Sequence, residues 1–79
     1  MTTISAERAT IDALDAELMR LIAQRTAVSR RIQKLRRDAG GPVVEHSREG
    51  VVVARWVEGL GRPGASVALA LLELSRGPL

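Results

Sequence analysis

Cysteine, phenylalanine and tyrosine are absent from the sequence, and each absence excludes a class of function. A chain without cysteine has no disulfide framework, no zinc–thiolate cluster and no thiolate nucleophile. The single histidine, His46, cannot form a metal site by itself, so we expect neither a metal nor a cofactor. Trp56 is the only aromatic residue, which leaves no platform for stacked bases and argues against nucleic-acid binding.

The length of the chain suggests that it works with a partner. A chain of 79 residues is expected to form one domain, residues 1–79, that buries too little surface to be stable alone without disulfides, metal or another chain. No apolar run approaches bilayer length, and the N-terminal residues MTTISAER do not resemble an export signal. We therefore expect an oligomeric, cytoplasmic protein with no membrane association.

The positive charge of the chain is carried almost entirely by arginine. Eleven of the twelve cations are arginine, Lys34 is the one lysine, and the net charge is +3. Arginine captures carboxylate and phosphate groups through paired, planar hydrogen bonds. Since side chains for stacking bases are lacking, this composition favours a small anionic ligand over nucleic acid.

A heptad pattern predicts one long helix over about residues 5–39. Thr3 or Ser5 can cap its start, and Gly40-Gly41-Pro42 ends it. Such a helix is roughly 50 Å long, whereas a compact chain of this size is only ~25–30 Å wide. Its apolar stripe must therefore be covered by another copy. The stripe consists of Ile11, Leu14, Leu18, Leu21, Val28, Ile32 and Leu35, with Arg25 in the remaining position.

Two shorter helices are expected after the long one, which makes the fold class all-α. Ser47 can cap the first of them, although the run Val51-Val52-Val53 would suit a strand equally well. A turn over residues 59–64 precedes the apolar segment 66–74, which is typical of a short helix buried on most sides. His46 lies in the connection before Ser47 with no orienting acid beside it, so acid–base catalysis by this histidine is not expected.

Arg25 lies in the heptad pattern at a position whose neighbours are aliphatic. Burying an unpaired guanidinium is costly, so an anion is expected to meet it there. A glutamate of either chain could neutralise it, or the side chain could reach past the stripe to water. Arg36 lies eleven residues further on and projects from nearly the same helix face at ~16 Å along the axis. A small pocket can lie between the two arginines.

Further charged residues extend this candidate pocket. Arg8 lies seventeen residues before Arg25, roughly 25 Å away and too far to share a small ligand within one chain. An antiparallel pair of helices would bring it beside the later half of the other copy. Glu45, Arg48 and Glu49 follow the glycine turn, although Glu49 alone could simply interact with the helix dipole. Together these residues describe a pocket for a small dianion with a hydroxyl group, without a nucleophile or general base.

Three blocks of the sequence share the spacing of a known family. They are Arg8-x2-Ile11-Asp12-x-Leu14-Asp15-x2-Leu18, Leu21-Ile22-Ala23-Gln24-Arg25-x2-Val28-Ser29-x2-Ile32-x-Lys34-x-Arg36 and Pro42-Val43-x-Glu45-x2-Arg48-Glu49. Each block alone is weak evidence for a family, but the joint spacing of the three blocks over about residues 8–49 is specific. The blocks resemble the all-α chorismate mutases of the AroQ class, in particular their short stand-alone bacterial members.

The resemblance implies an intertwined antiparallel homodimer, with one long and two short helices per chain, that rearranges chorismate to prephenate. Each of its two sites would take Arg8 from the opposite subunit. Arg25 would hold a substrate carboxylate. Arg36 stands where the family places a Lys or Arg that contacts the ether oxygen and the enolpyruvyl carboxylate.

The resemblance also implies how the remaining polar residues take part. Glu49 would accept the ring hydroxyl, the backbone near Glu45 would help with that hydroxyl, and Arg48 would support the carboxylate cluster. The reaction is a pericyclic shift that needs no proton transfer and no cofactor. The protein can act by selecting the compact conformer and by placing fixed cations where the breaking C–O bond gathers negative charge.

The C-terminal end departs from the family pattern. Many relatives extend the third helix to supply a Gln or Glu near the ether oxygen, and the segment Ser75-Arg76-Gly77-Pro78-Leu79 offers neither. Short members of the class can be weakly active alone and stimulated by a separate DAHP synthase. Such a synthase is therefore a predicted partner.

Two alternatives remain open at this point. One is isochorismate pyruvate lyase, a related pericyclic enzyme built on the same helices. The other is a non-catalytic helical dimerisation module, in which the arginines merely pair with Glu17, Glu45 and Glu49.

Overall fold

The computed structural model describes residues 3–41 and 45–76, which form three helices, α1 (Ile4–Asp38), α2 (His46–Leu60) and α3 (Gly64–Arg76). All the regular structure in these two ranges is helical, which confirms the all-α prediction. The valine run 51–53 lies inside α2 and not in a strand. Pro42 and Val43 of the third sequence block fall outside the described residues.

The ends of α1 follow from local signals. Thr3 is the N-cap, and its hydroxyl accepts a hydrogen bond from the backbone N–H of Ala6 at 3.0 Å. At the other end, Gly40 has a φ of 79°, a conformation that glycine adopts without strain. The next residue, Gly41, donates its N–H to the carbonyl of Arg36 at 2.7 Å, as in a Schellman motif. The predicted helix is therefore confirmed to within one residue at each end.

The second helix begins earlier than its sequence pattern predicts. Glu45 is the N-cap, its carbonyl accepts from the N–H of Glu49 at 3.0 Å, and its side chain makes no capping hydrogen bond. The predicted cap, Ser47, is the second residue of α2, so that prediction is wrong. His46 is likewise the first residue of the helix and not part of a loop. The physical reason is that the extended backbone of Glu45 already starts the helical hydrogen-bond ladder.

The turn between α2 and α3 is tighter than predicted. Gly61, with a φ of 80°, ends α2, and α3 already begins at Gly64. The predicted turn over 59–64 therefore shrinks to three residues, and α3 extends beyond the predicted segment 66–74 at both ends. Gly64 is buried against α2: a Cβ atom at this position would lie 2.1 Å from the carbonyl oxygen of Trp56.

A Gly64→Ala substitution should therefore lower the free energy of unfolding by about 1–3 kcal/mol, the usual cost of forcing extra atoms into a packed site. Urea unfolding at a fixed protein concentration measures it. Gly59→Ala is the matched control, because a Cβ atom there meets nothing within 4 Å. That variant should be neutral or slightly stabilised, by less than about 1 kcal/mol. Equal destabilisation of both variants would contradict the close approach at Gly64.

Helix α3 is the middle element of the fold, since it contacts both α1 and α2. It carries most of the buried residues, whereas α1 has none and α2 has only Val52. The buried residues of α3 are Gly64, Ala68, Leu71, Leu72 and Ser75. Leu69 and Leu74 on the same helix stay 58% and 50% exposed, so α3 is less enclosed than its apolar composition predicts.

The apolar stripe of α1 is largely uncovered in the single chain. Its seven aliphatic side chains are 41–69% exposed. The chain measures 58 × 24 × 18 Å, and its radius of gyration is 16.1 Å, compared with about 12 Å for a compact chain of this length. Its accessible surface is 6328 Å², whereas a compact monomer of this mass exposes about 4,700 Å². The exposed aliphatic side chains of α1 contribute to this excess.

Candidate active site

A cavity of about 250 Å³ lies where the second half of α1, the start of α2 and the last turn of α3 meet. Its size falls just below the usual range of small-molecule sites, about 300–1,000 Å³. The lining combines aliphatic side chains, uncharged polar groups and six charged residues. The lining residues are Arg25, Val28, Ser29, Ile32, Gln33, Arg36, Glu45, Arg48, Glu49, Val52, Leu72, Ser75 and Arg76.

Helix α1 supplies the longest wall of the cavity. Its lining residues run from Arg25 to Arg36 at helical spacing, so they share one face. The two arginines stand at opposite ends of this wall, ~16 Å apart along the axis. Both side chains are only partly exposed. The face that carries the apolar stripe therefore also carries the two cations, as the heptad pattern predicts.

The other two helices contribute their ends. Glu45 caps α2, while Arg48 and Glu49 lie in its first turn and point to the same cavity. Helix α3 contributes Ser75 and Arg76 from its last turn. A helix start favours anions and a helix end favours cations. The acidic residues of α2 and the last arginine of α3 thus lie at compatible helix ends.

Two ion pairs cross the cavity. Arg36 Nη2 lies 3.0 Å from Glu45 Oε2, and these side chains are 27% and 50% exposed. The second pair joins Arg76 Nη2 to Glu49 Oε1, with exposures of 32% and 22%. Each carboxylate of the cavity is therefore matched with one arginine, and the second pair is the more enclosed.

Two cations remain in excess. Within residues 3–41 and 45–76, neither Arg25 nor Arg48 makes an ion pair or a hydrogen bond through its side chain. Both line the cavity. Four guanidinium groups and two carboxylates leave the lining with a net charge of +2 when all are ionised. Such a lining is complementary to a small dianion.

Glu17 does not join the site arginines. It pairs with Arg20 one turn further along α1, outside the cavity. This hydrogen bond holds the pKa of the Glu17 carboxyl below its usual value and raises the pKa of Arg20. The alternative in which Glu17 neutralises a site arginine is therefore not what the single chain does.

Arg8 is the one predicted site residue that the chain does not bring to the cavity. It is exposed near the beginning of α1 and is not part of the lining. The other five predicted residues, Arg25, Arg36, Glu45, Arg48 and Glu49, all line it. Because Arg8 and Arg25 lie ~25 Å apart along one continuous helix, Arg8 cannot reach this cavity within the same chain.

Helix α3 contributes residues to the cavity that the sequence pattern did not predict. Arg76 lies one helical turn after Leu72, so the two share a face. This spacing, together with a cation in the last turn, was a local signal for Arg76. Gln33 carried no such signal: its Nε2 donates to the carbonyl of Ser75 at 3.0 Å, a contact between residues far apart in the chain.

The described ranges offer neither a metal cluster nor a membrane-spanning helix. These ranges contain no group of three His, Cys, Asp or Glu residues that could ligate a metal ion. None of the three helices is long and apolar enough to cross a bilayer.

The described helices bring arginines and glutamates together at a small cavity beside an apolar helix face, and this places the chain among small helical proteins with a charged pocket. Comparison with known sequences is more specific: the chain belongs to the chorismate mutase type II family, whose model matches residues 7–71.

Two relatives and one solved structure illustrate the similarity. The intracellular chorismate mutase of Mycolicibacterium smegmatis is 44% identical over 72 residues, 91% of this chain and 69% of the relative. The intracellular chorismate mutase of Mycobacterium tuberculosis is 45% identical over 76 residues, 96% of this chain and 71% of the relative. The solved structure is the non-covalent complex of DAHP synthase and chorismate mutase from Corynebacterium glutamicum with bound transition state analog. One of its chains superposes on this chain with a TM-score of 0.91 at 34% sequence identity. The match covers 96% of this chain and 92% of that one.

Proposed function

We propose that this chain is a chorismate mutase that rearranges chorismate to prephenate in phenylalanine and tyrosine biosynthesis. The observation that carries the proposal is the excess of two cations in a cavity beside apolar side chains. Chorismate is a dicarboxylate that also carries a ring hydroxyl. Family membership and the names of the relatives support the same activity. The proposal takes residues 1–79 as one chorismate mutase domain.

The arginines bind and activate the substrate. Arg25 and Arg48, which have no ion pair among the described residues, hold the carboxylates. Arg36 contacts the ether oxygen and the enolpyruvyl carboxylate. During the rearrangement the ether C–O bond breaks while a C–C bond forms, and negative charge gathers on that oxygen. A fixed guanidinium stabilises this charge more than it stabilises the ground state, which lowers the barrier.

The carboxylates orient the ring. Glu49 accepts the hydrogen bond of the ring hydroxyl, and the backbone of Glu45 assists it. With both carboxylates and the hydroxyl held, the substrate is confined to the compact conformer in which the two reacting carbons meet. The chemistry requires no proton transfer and no cofactor.

The functional unit is an intertwined antiparallel homodimer. The stripe of α1 exposes seven aliphatic side chains in the single chain. The surplus of accessible surface over a compact monomer is about 1,600 Å² per chain, within the range that obligate homodimers bury. A second copy has the matching stripe, so pairing the two helices covers both at once.

The dimer completes the site with Arg8. The aliphatic stripe runs from Ile11 to Leu35, and its midpoint lies near residue 23. A two-fold axis at that point places Arg8 of the second copy within about one helical turn of Arg36. The exposed Arg8 of each chain then serves the cavity of the other, as the family resemblance implies.

A DAHP synthase is the proposed protein partner, and the cytoplasm is the proposed location. The structurally similar chain from Corynebacterium glutamicum is part of a complex with DAHP synthase, and the relatives are named intracellular. Because the last turn of α3 lines the cavity, a partner that contacts this turn would act directly on the site.

The activity is tested by mixing the purified chain with chorismate and following the loss of its ultraviolet absorbance, with prephenate identified as the product. A parallel reaction with isochorismate separates the lyase alternative. Conversion of chorismate to prephenate supports the proposal. Release of pyruvate from isochorismate without prephenate formation would assign the lyase activity instead, and no reaction with either compound would favour the dimerisation module.

A further inference from the structure

The last turn of α3 is attached to α1 by side chains. Gln33 Nε2 donates to the carbonyl of Ser75 at 3.0 Å, and Arg30 Nη2 donates to the carbonyl of Leu74 at 3.4 Å. Both carbonyls belong to the final turn of α3, where the helix itself offers no donors. Ser75 is also buried, and its hydroxyl donates to the carbonyl of Leu71 at 2.9 Å. The end of α3 is therefore held against the wall of the cavity.

Arg76 follows this attached turn and contacts Glu49 directly. Its Nη2 donates to Oε1 of Glu49, and both side chains are at least two-thirds buried. Among the described residues, this is the one hydrogen bond to the Glu49 side chain. The second carboxylate oxygen, Oε2, makes no hydrogen bond within the described residues, and Glu49 lines the cavity.

We propose that Arg76 is a positioning residue for Glu49. By binding Oε1, it fixes the rotamer of the carboxylate so that Oε2 accepts the ring hydroxyl of the substrate. A glutamate has three rotatable bonds, and a charge-assisted hydrogen bond from a helix end that is itself attached restricts them. The inference rests on the proposed function, because the hydroxyl is that of chorismate.

A double-mutant cycle tests the inference, using the full chain in four forms: wild type, Arg76→Gln, Glu49→Ala and the double variant. Arg76→Gln should lower kcat for chorismate by about tenfold, with a smaller change in KM, because the arginines that bind the carboxylates remain while the ring is less well oriented. In the Glu49→Ala background, the same change should have less than about a twofold effect, since its target is already absent.

Two further variants separate positioning from general structural effects. Arg76→Lys should recover most of the lost kcat, because lysine keeps a positively charged donor on a long side chain, whereas glutamine is neutral and shorter. Arg62→Gln, an exposed arginine in the turn outside the cavity, should behave as wild type.

An equal loss of kcat from Arg76→Gln in both backgrounds would overturn the inference, as would an Arg76→Lys variant no better than Arg76→Gln. If the wild-type chain does not convert chorismate at all, the proposed function fails instead, and the two failures are thereby distinguished.

Discussion

Replacing Arg36 by alanine should lower kcat for chorismate by about 10²–10³-fold, the usual cost of removing one fixed donor from developing negative charge. Among the proposed site residues, Arg36 is the one placed at the breaking C–O bond. KM should change less, because Arg25 and Arg48 continue to bind carboxylate. Steady-state kinetics on the purified variant measures both parameters.

The fold should survive this substitution. Arg36 pairs with Glu45, whose side chain is 50% exposed and can return to water, and such pairs contribute at most about 1 kcal/mol. Arg37→Ala is the matched control, because Arg37 is the exposed neighbour on the same turn of α1, and its activity should stay near wild type. Arg36→Lys keeps a cation and should retain far more activity than the alanine variant. A fully active Arg36→Ala enzyme would refute the proposed role.

The variants Arg8→Ala and Arg36→Ala should each be inactive alone but regain activity when the two chains are combined in one dimer. In the proposed dimer, Arg8→Ala damages the site of the partner chain, whereas Arg36→Ala damages the chain's own site. In a mixed dimer, one of the two sites has both arginines intact. After joint refolding of equal amounts, about half the dimers are mixed, so activity should reach about a quarter of the wild-type value per chain. The measurement is the chorismate assay before and after joint refolding from denaturant.

A second mixture provides the control for this experiment. Arg25 and Arg36 line the cavity of the same chain, so combining Arg25→Ala with Arg36→Ala leaves one defect in each site and should restore nothing. Recovery in the first mixture alone would establish that Arg8 acts across the dimer. Recovery in neither mixture, with all variants folded and dimeric, would show that Arg8 is not supplied by the other subunit. A wild-type chain that sediments as a monomer at assay concentrations would contradict the dimer itself.

The bounds of α1 and the site residues that it carries were largely predictable, because the sequence signals for them are local. Heptad spacing places Arg25 and Arg36 on one face, and Thr3 and Gly40 mark the ends of the helix. These features depend on residues within a few turns of one another, so they can be read along the chain. The same spacing predicts the apolar stripe of α1, and its cover by a second copy stays a prediction.

The second and third helices were less predictable because their limits depend on contacts with each other. The valine run 51–53 is ambiguous by propensity, and it lies in a helix that contacts α3 and buries Val52. The early start of α3 at Gly64 requires the close approach to Trp56. Neither contact leaves a mark in the local pattern.

Sequence pattern was therefore sufficient for the long helix, the arginine face and the acidic start of α2, since helical periodicity fixes which side chains share a face. The wall of the cavity that the last turn of α3 supplies depended on the tertiary fold. Arg76 meets Glu49 at the end of α3, where Gln33 also donates a hydrogen bond to the carbonyl of Ser75, 42 residues further along the chain. Such long-range hydrogen bonds join positions whose spacing along the chain carries no period, and only folding brings them together.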